Sequence, residues 1–207
     1  MMNKALKYLG LLFLLAGIGI LILIYWPLAK EEWQYRQFQS QVSPDVSFGE
    51  LAEKIVPVSS EFGLVIPQIQ INSRVFPIVD DQNPAEYRPL LAQGVAHAKW
   101  SVLPNQKGMV FIFAHSADSP LSITRYNAVF YLINKLVKGD QVLIYYQNQE
   151  YEYQVIEKKI VSPVKVREVV TNLGEGYLVL QTCHPPGTTL NRLLVISKTI
   201  DNPEVRL

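Results

Sequence analysis

Apolar and polar positions divide this chain into three regimes. The first is an unbroken apolar run: residues 8–29 contain 22 positions without a charge, dense in Leu and Ile. That is long enough to cross a hydrocarbon core of about 30 Å as a helix. Tyr25 and Trp26 close the run as an interfacial aromatic belt would. The second regime, 30–41 (KEEWQYRQFQSQ), mixes charges with Trp33, Tyr35 and Phe38. It fits either a helix continuing from the apolar run or a solvated stalk whose aromatics sit near head groups; the stalk is the preferred expectation. Ser43-Pro44-Asp45 and then Pro57-Val58-Ser59-Ser60 break it before a folded unit begins.

The third regime is β-patterned. Residues 64–71 alternate in part, with Leu64, Ile66, Ile69 and Ile71 set against Gln68 and Gln70. This predicts a half-buried strand in which Pro67 marks an edge or a bulge. A turn at Asn72-Ser73 leads into a second short strand over 75–79. Asn83-Pro84 has the form of an N-cap followed by Pro at the first helical position. Pro89 limits the helix that follows to about a turn at a time, and Gly94 ends it. Residues 101–108 make a loop with Pro104 and Gly108. Residues 109–114 (MVFIFA) are continuously apolar, as in a strand buried on both faces. Helical spacing over 127–137 stops at Gly139. Residues 141–147 and 150–161 flank Asn148-Gln149, a hairpin turn, and 163–175 is irregular. Residues 177–198 (YLVLQTCHPPGTTLNRLLVISK) then read as two strands around a polar loop. About eight strands with one or two short helices predict a closed barrel or a sandwich, mainly β in class. The domain boundaries expected from this pattern are 1–29 for a transmembrane anchor, 30–60 for a juxtamembrane linker and 61–207 for the β domain.

Composition narrows the setting. Nearly half of the residues (49%) are apolar and the formal net charge is +1, which gives no footprint for nucleic acid and no acidic, disordered character. A cleaved signal peptide would have a shorter apolar region and a small-x-small site after it, so an uncleaved anchor is expected. Lys4 and Lys7 before the run, against Lys30 and Arg36 after it, leave only a weak charge bias. A short tail inside, with residues 30–207 outside, is the expected orientation. There is a single cysteine, Cys183. Outside the membrane a chain with one thiol forms no internal disulfide, so that thiol is buried, paired with another chain, or catalytic.

Cys183 ends the first strand of 177–198 and Arg192 opens the second, so both fall at one sheet end. A lone Cys in an apolar strand is most often a small hydrophobe. Here, however, it lies at the strand's end beside a turn, and an arginine interrupting an apolar strand is costly without a reason. A reactive thiolate needs nearby positive charge, and acyl transfer needs a donor for its oxyanion. Of the three histidines, His115 closes the apolar strand 109–114 and is placed as Cys183 is. His97, in GVAHAKW, is a surface or hydrogen-bonding residue. His184 directly follows Cys183 and would point to the opposite face of a continued strand. His115 is therefore the expected acid–base partner.

With His115, Cys183 and Arg192 in that order, the chain resembles the sortases, membrane-anchored cysteine transpeptidases of bacterial surfaces. The T-x-T-C motif of that family is matched by Leu180-Gln181-Thr182-Cys183, with Leu in place of the first Thr. Arg192 in NRLLV matches the family's arginine, and VFIFAHS resembles the family's apolar strand ending in A/G-H. Weaker similarity runs through GVAHAKWSVLPNQKG and LVKGDQV, so the resemblance covers roughly 62–200. It implies a closed eight-stranded β-barrel and a C-terminal sorting motif, LPXTG-like, of surface proteins as substrate. Cys183 would be the nucleophile, His115 the proton carrier, Arg192 the oxyanion and backbone donor, and Thr182 a substrate-placing residue. An amine of a cell-envelope precursor or of a pilin subunit would accept the acyl group. No cofactor and no metal are required.

Departures from the family pattern carry information as well. Ser116 stands where pilin-polymerising members often have Arg, no second apolar span follows the domain, and no aromatic-acidic lid motif precedes it. These favour a general anchoring role. No clustered acidic loop suggests a calcium site. Two other functions compete: a Cys-His cell-wall peptidase, which would place its Cys before its His, and a catalytically silent membrane-tethered β-domain that binds surface proteins.

Overall fold

The computed structural model describes residues 2–41, 55–116 and 129–200. Its first element, α1 (Met2–Gln41), is a single 40-residue helix. Within it Leu6–Leu23 is long and apolar enough to span a membrane. The stretch 30–41 is thus helical to Gln41, which corrects the expectation of a solvated stalk. Contacts explain why. Glu32 accepts from Lys135 (3.0 Å) and from Arg36 one turn on (3.2 Å), and Gln39 Nε2 donates to the Gln68 carbonyl (2.9 Å). Tyr35 packs against the core of the following domain. Glu32, Tyr35 and Gln39, three and four positions apart, lie on one helix face and meet partners in the domain.

The remainder is a closed barrel of strands β1 (Phe62–Ile66), β2 (Ile71–Val79), β3 (Val95–Ala98), β4 (Met109–Phe113), β5 (Gln141–Tyr146), β6 (Gln149–Val161), β7 (Tyr177–His184) and β8 (Asn191–Thr199). Round the barrel they run β1-β2-β3-β4-β7-β8-β6-β5, and β5 pairs back onto β1. The β2–β3 and β4–β7 pairs are parallel and the rest antiparallel. Two short helices, α2 (Pro84–Leu91) and α3 (Val166–Thr171), lie on the connections. The closed eight-stranded barrel with short helices, preceded by an apolar helix, is the expected fold class.

Local differences from the sequence pattern have physical causes. Residues 64–71 are not one half-buried strand: all five residues of β1 are buried, and Pro67 opens a 3-10 turn, Pro67–Ile69. Gln70 then adopts φ 54° and reverses the chain into β2. Pro67 serves here as a turn starter, a role its fixed φ suits. The expected turn at Asn72-Ser73 lies inside β2. Asn72 instead bonds the entering chain at both ends of its amide, to Val58 N and Val56 O (2.8 Å each). Asn83 caps α2 as expected, accepting from Ala85 N (3.2 Å). The helix nevertheless runs through Pro89, and Ala85, the residue whose carbonyl loses an N–H partner, is exposed. In 127–137 the described part forms only a 3-10 segment, Tyr131–Lys135. Phe130, Ile133 and Leu136 are fully buried at a spacing of three, the period of that helix. The β5–β6 turn sits at Gln147-Asn148, one residue earlier than expected. Both residues have positive φ (51° and 62°), the pattern of a type I′ hairpin.

The core lies inside the barrel, built on Leu64, Ile66, Ile112, Leu178, Leu180, Leu194 and Ile196. β4 is covered on both faces, as its continuous apolar run predicts. Trp100 lies against Phe111 (ring centroids 4.7 Å apart) and Tyr87 meets Phe113 edge-on (6.1 Å).

Candidate active site

The site is assembled at one end of the barrel, where β4 and β7 finish and the neighbouring β8 begins. β4 and β7 run in parallel with Phe113 opposite Gln181. The pairing continues one step further, because Ala114 N donates to Gln181 O (3.1 Å) and Thr182 Oγ1 donates to Ala114 O (2.9 Å). His115 therefore leaves β4 beside the end of β7. On the other side of β7, the β7–β8 register sets Cys183 opposite Arg192. Directly paired residues project from the same face of a sheet, so thiol and guanidinium share one face. The outcome is an ordered row of His115, Cys183 and Arg192 from three adjacent strands.

All three open onto one cleft of about 710 Å³, lined also by Thr182, Ala114, Gln181 and Thr189. Cys183 and Arg192 are half-buried, while His115 is 7% exposed. The Arg192 guanidinium is held by the carbonyls of Thr189 and Asn191 (3.1 Å each), which orient its remaining N–H groups. His115 has the Tyr87 ring at 6.5 Å, and its carbonyl accepts from Phe130 N (3.2 Å), tying it to the 3-10 segment. Thr182 is almost wholly buried. Strand alternation sends it to the other face from Cys183, where its hydroxyl clamps the end of β4.

The other two histidines stand apart. β7 extends through His184, which alternation turns away from the Cys183 face, and His184 is absent from the cleft wall. His97 is in β3 and only 1% exposed, a hydrogen-bonding residue and not a surface one. Its Nδ1 accepts from Ile78 N (3.3 Å), so Nε2 carries the proton and faces Val102 O and Ser101 Oγ (2.9 Å each). Burial lowers its pKa from the ordinary 6.5, partly opposed by the Val102 carbonyl.

A family model described as "Sortase domain" matches residues 64–200. The chain belongs to the sortase family. Sortase D of Bacillus subtilis (strain 168) is 26% identical over 140 residues, covering 66% of this chain and 62% of that protein. Among solved structures, this sortase resembles sortase C-1 of Actinomyces oris at a TM-score of 0.56 and 21% identity, over 84% of this chain and 99% of that one. Sortase C1 of Streptococcus agalactiae gives 0.56 and 22%, over 87% and 88%. At these identities the structural likeness is one of fold.

The cleft also has a wall that the sequence did not announce: Asp81, Tyr87 and Arg88 from the α2 side, Trp100 after β3, and Val164 and Arg167 from the connection between β6 and β7. Trp100 ends the segment GVAHAKW, and nothing in that segment marks it as a wall of the cleft. Nothing local marks Arg167, because its contact is with a residue distant in sequence.

Proposed function

We propose that this sortase is a cysteine transpeptidase acting on a C-terminal sorting motif, LPXTG-like, of surface proteins. The observation that carries this reading is the convergence of His115, Cys183 and Arg192 on one cleft from β4, β7 and β8. The Cys183 thiolate attacks the carbonyl carbon before the scissile bond, and Arg192 donates to the oxyanion that forms. As the C–N bond breaks, His115 in its imidazolium form gives a proton to the departing amine, leaving a thioester on Cys183. An incoming amine, from a cell-envelope precursor or a pilin subunit, attacks that thioester and His115 takes its proton. The new amide leaves and Cys183 is released as thiolate. Thr182 supports substrate placement from beneath, through the carbonyl of Ala114 and hence through His115.

In this reading residues 1–29 anchor the protein, 30–60 join anchor to domain, and 61–207 do the chemistry outside the bacterial membrane. The apolar stretch of α1 and the family's membrane association support that arrangement. The test is incubation of the full-length protein, in detergent, with a library of sorting-motif peptides and a small amine. A new amide should appear by mass spectrometry in the wild type and be lost in Cys183→Ala. Product from Cys183→Ala would sink the mechanism.

A further inference from the structure

Among the described residues the cleft around the thiol is cationic: Arg88, Arg167 and Arg192 line it from α2, α3 and β8, against one carboxylate, Asp81. That carboxylate is already engaged, since it accepts from the Trp100 indole N–H (3.1 Å) and from Gln82 Nε2 (3.3 Å). The bond fixes the indole, which is held from below by Phe111. Arg167 lies over that indole, its guanidinium carbon 3.6 Å from the ring centroid. Stacking on an aromatic face leaves the guanidinium's in-plane N–H groups turned outward in a rigid fork. Among the described residues neither Arg88 nor Arg167 is in an ion pair with a carboxylate. Three cations lining one concave wall, in a chain whose formal net charge is only +1, give that wall a local positive potential that draws anions.

We propose that the Trp100–Arg167 stack, with Arg88, is a receptor for a carboxylate of the substrate, placed within a residue or two of the reacting carbonyl. Asp81 positions it by pinning Trp100. The inference rests on the transpeptidase reading for its substrates. The carboxylate has two possible sources, a side chain of the donor peptide or an acid group of the acceptor amine.

Two arms of one experiment on the full-length protein in detergent distinguish them. In the first, sorting-motif peptides differing only in Asp against Asn at successive positions are compared with an uncharged acceptor. In the second, a neutral peptide is compared with acceptor amines that carry or lack a carboxylate. A charge-assisted fork on exposed arginines corresponds to a preference of roughly fivefold to tenfold in kcat/KM, weakened by added salt. That preference should collapse in Arg167→Met and shrink in Arg88→Met. A preference in the first arm assigns the receptor to the donor, and one in the second assigns it to the acceptor. No preference in either arm, or a preference unchanged in both variants, overturns the proposal. If the wild type converts no peptide, the transpeptidase reading has failed instead. Equilibrium binding of the Asp and Asn peptides, and of the two acceptors, then decides the receptor by itself: tighter binding of a carboxylate form, lost in Arg167→Met, supports it, and equal binding overturns it.

Discussion

Thr182 joins packing to chemistry in a single hydroxyl. It is buried and donates to Ala114 O, the last carbonyl before His115. Thr182→Val keeps the shape and removes the donor, leaving a buried carbonyl without this bond at a cost of about 1–2 kcal/mol. Urea denaturation should show that loss and turnover should fall with it; unchanged stability would contradict the clamp. Arg192→Ala should lower kcat by roughly 10²- to 10³-fold while the fold persists, the effect of removing one oxyanion donor. His97 gives a prediction in pH. Its Nδ1 accepts from Ile78 N–H, so a proton placed there would face another donor, and burial holds its folded pKa below 6.5. The unfolded chain takes up a proton near pH 6.5 and the folded chain does so only lower. Stability is therefore lost as pH falls through about 6.5 towards the folded pKa. Thermal melts from about pH 8 to about pH 5 should show this decline, with a shallower slope in His97→Gln. At this scale Cys183, His115 and Arg192 were legible because each sits where an apolar run meets a polar loop. Trp100 and Arg167 were not, since their stack joins residues far apart in the chain.

At the level of elements, the juxtamembrane half of α1 behaves as part of the domain and not as a tether. Glu32, Lys135, Tyr35 and Gln39 fasten it to the 3-10 segments Pro67–Ile69 and Tyr131–Lys135. The same 3-10 segment that carries Lys135 begins beside Phe130, whose N–H holds the His115 carbonyl. Lys135→Met should speed amide exchange in residues 30–41 by a few fold, consistent with an ion pair worth less than about 1 kcal/mol. Unaltered exchange would mean that the contact bears no load. The Lys135 hydrogen bond lowers the Glu32 pKa from its ordinary 4.5, partly opposed by desolvation, with Arg36 adding to the lowering. The attachment is thus complete above that range and loosens as pH falls through the lowered value. Helix and strand types were largely visible in the periodicity. Pro67, the reversal at Gln70 and the three-residue spacing of Phe130, Ile133 and Leu136 were misread. Each depends on what lies opposite, and local pattern does not say that.

For the whole molecule, closure of the barrel is what makes a site. The β5–β1 pairing and the parallel β4–β7 pairing link distant segments, and the second alone carries His115 to Cys183. The sequence pattern supplied the number of strands and the residues at their ends, but left barrel and sandwich equal until the family resemblance decided between them. Non-local pairing has no local signature, so the adjacency of the two residues was an expectation that only the fold could supply. The chemical claim remains the covalent one, and it is open to direct measurement. Full-length protein in detergent is mixed with a sorting-motif peptide without amine, quenched in acid, and its intact mass recorded. A mass increase equal to the acyl part of the peptide, mapped to Cys183 and released as an amide or hydroxamate by added amine or hydroxylamine, is the predicted result. An acyl group found on any other residue, or amide product formed by Cys183→Ala, would contradict the account.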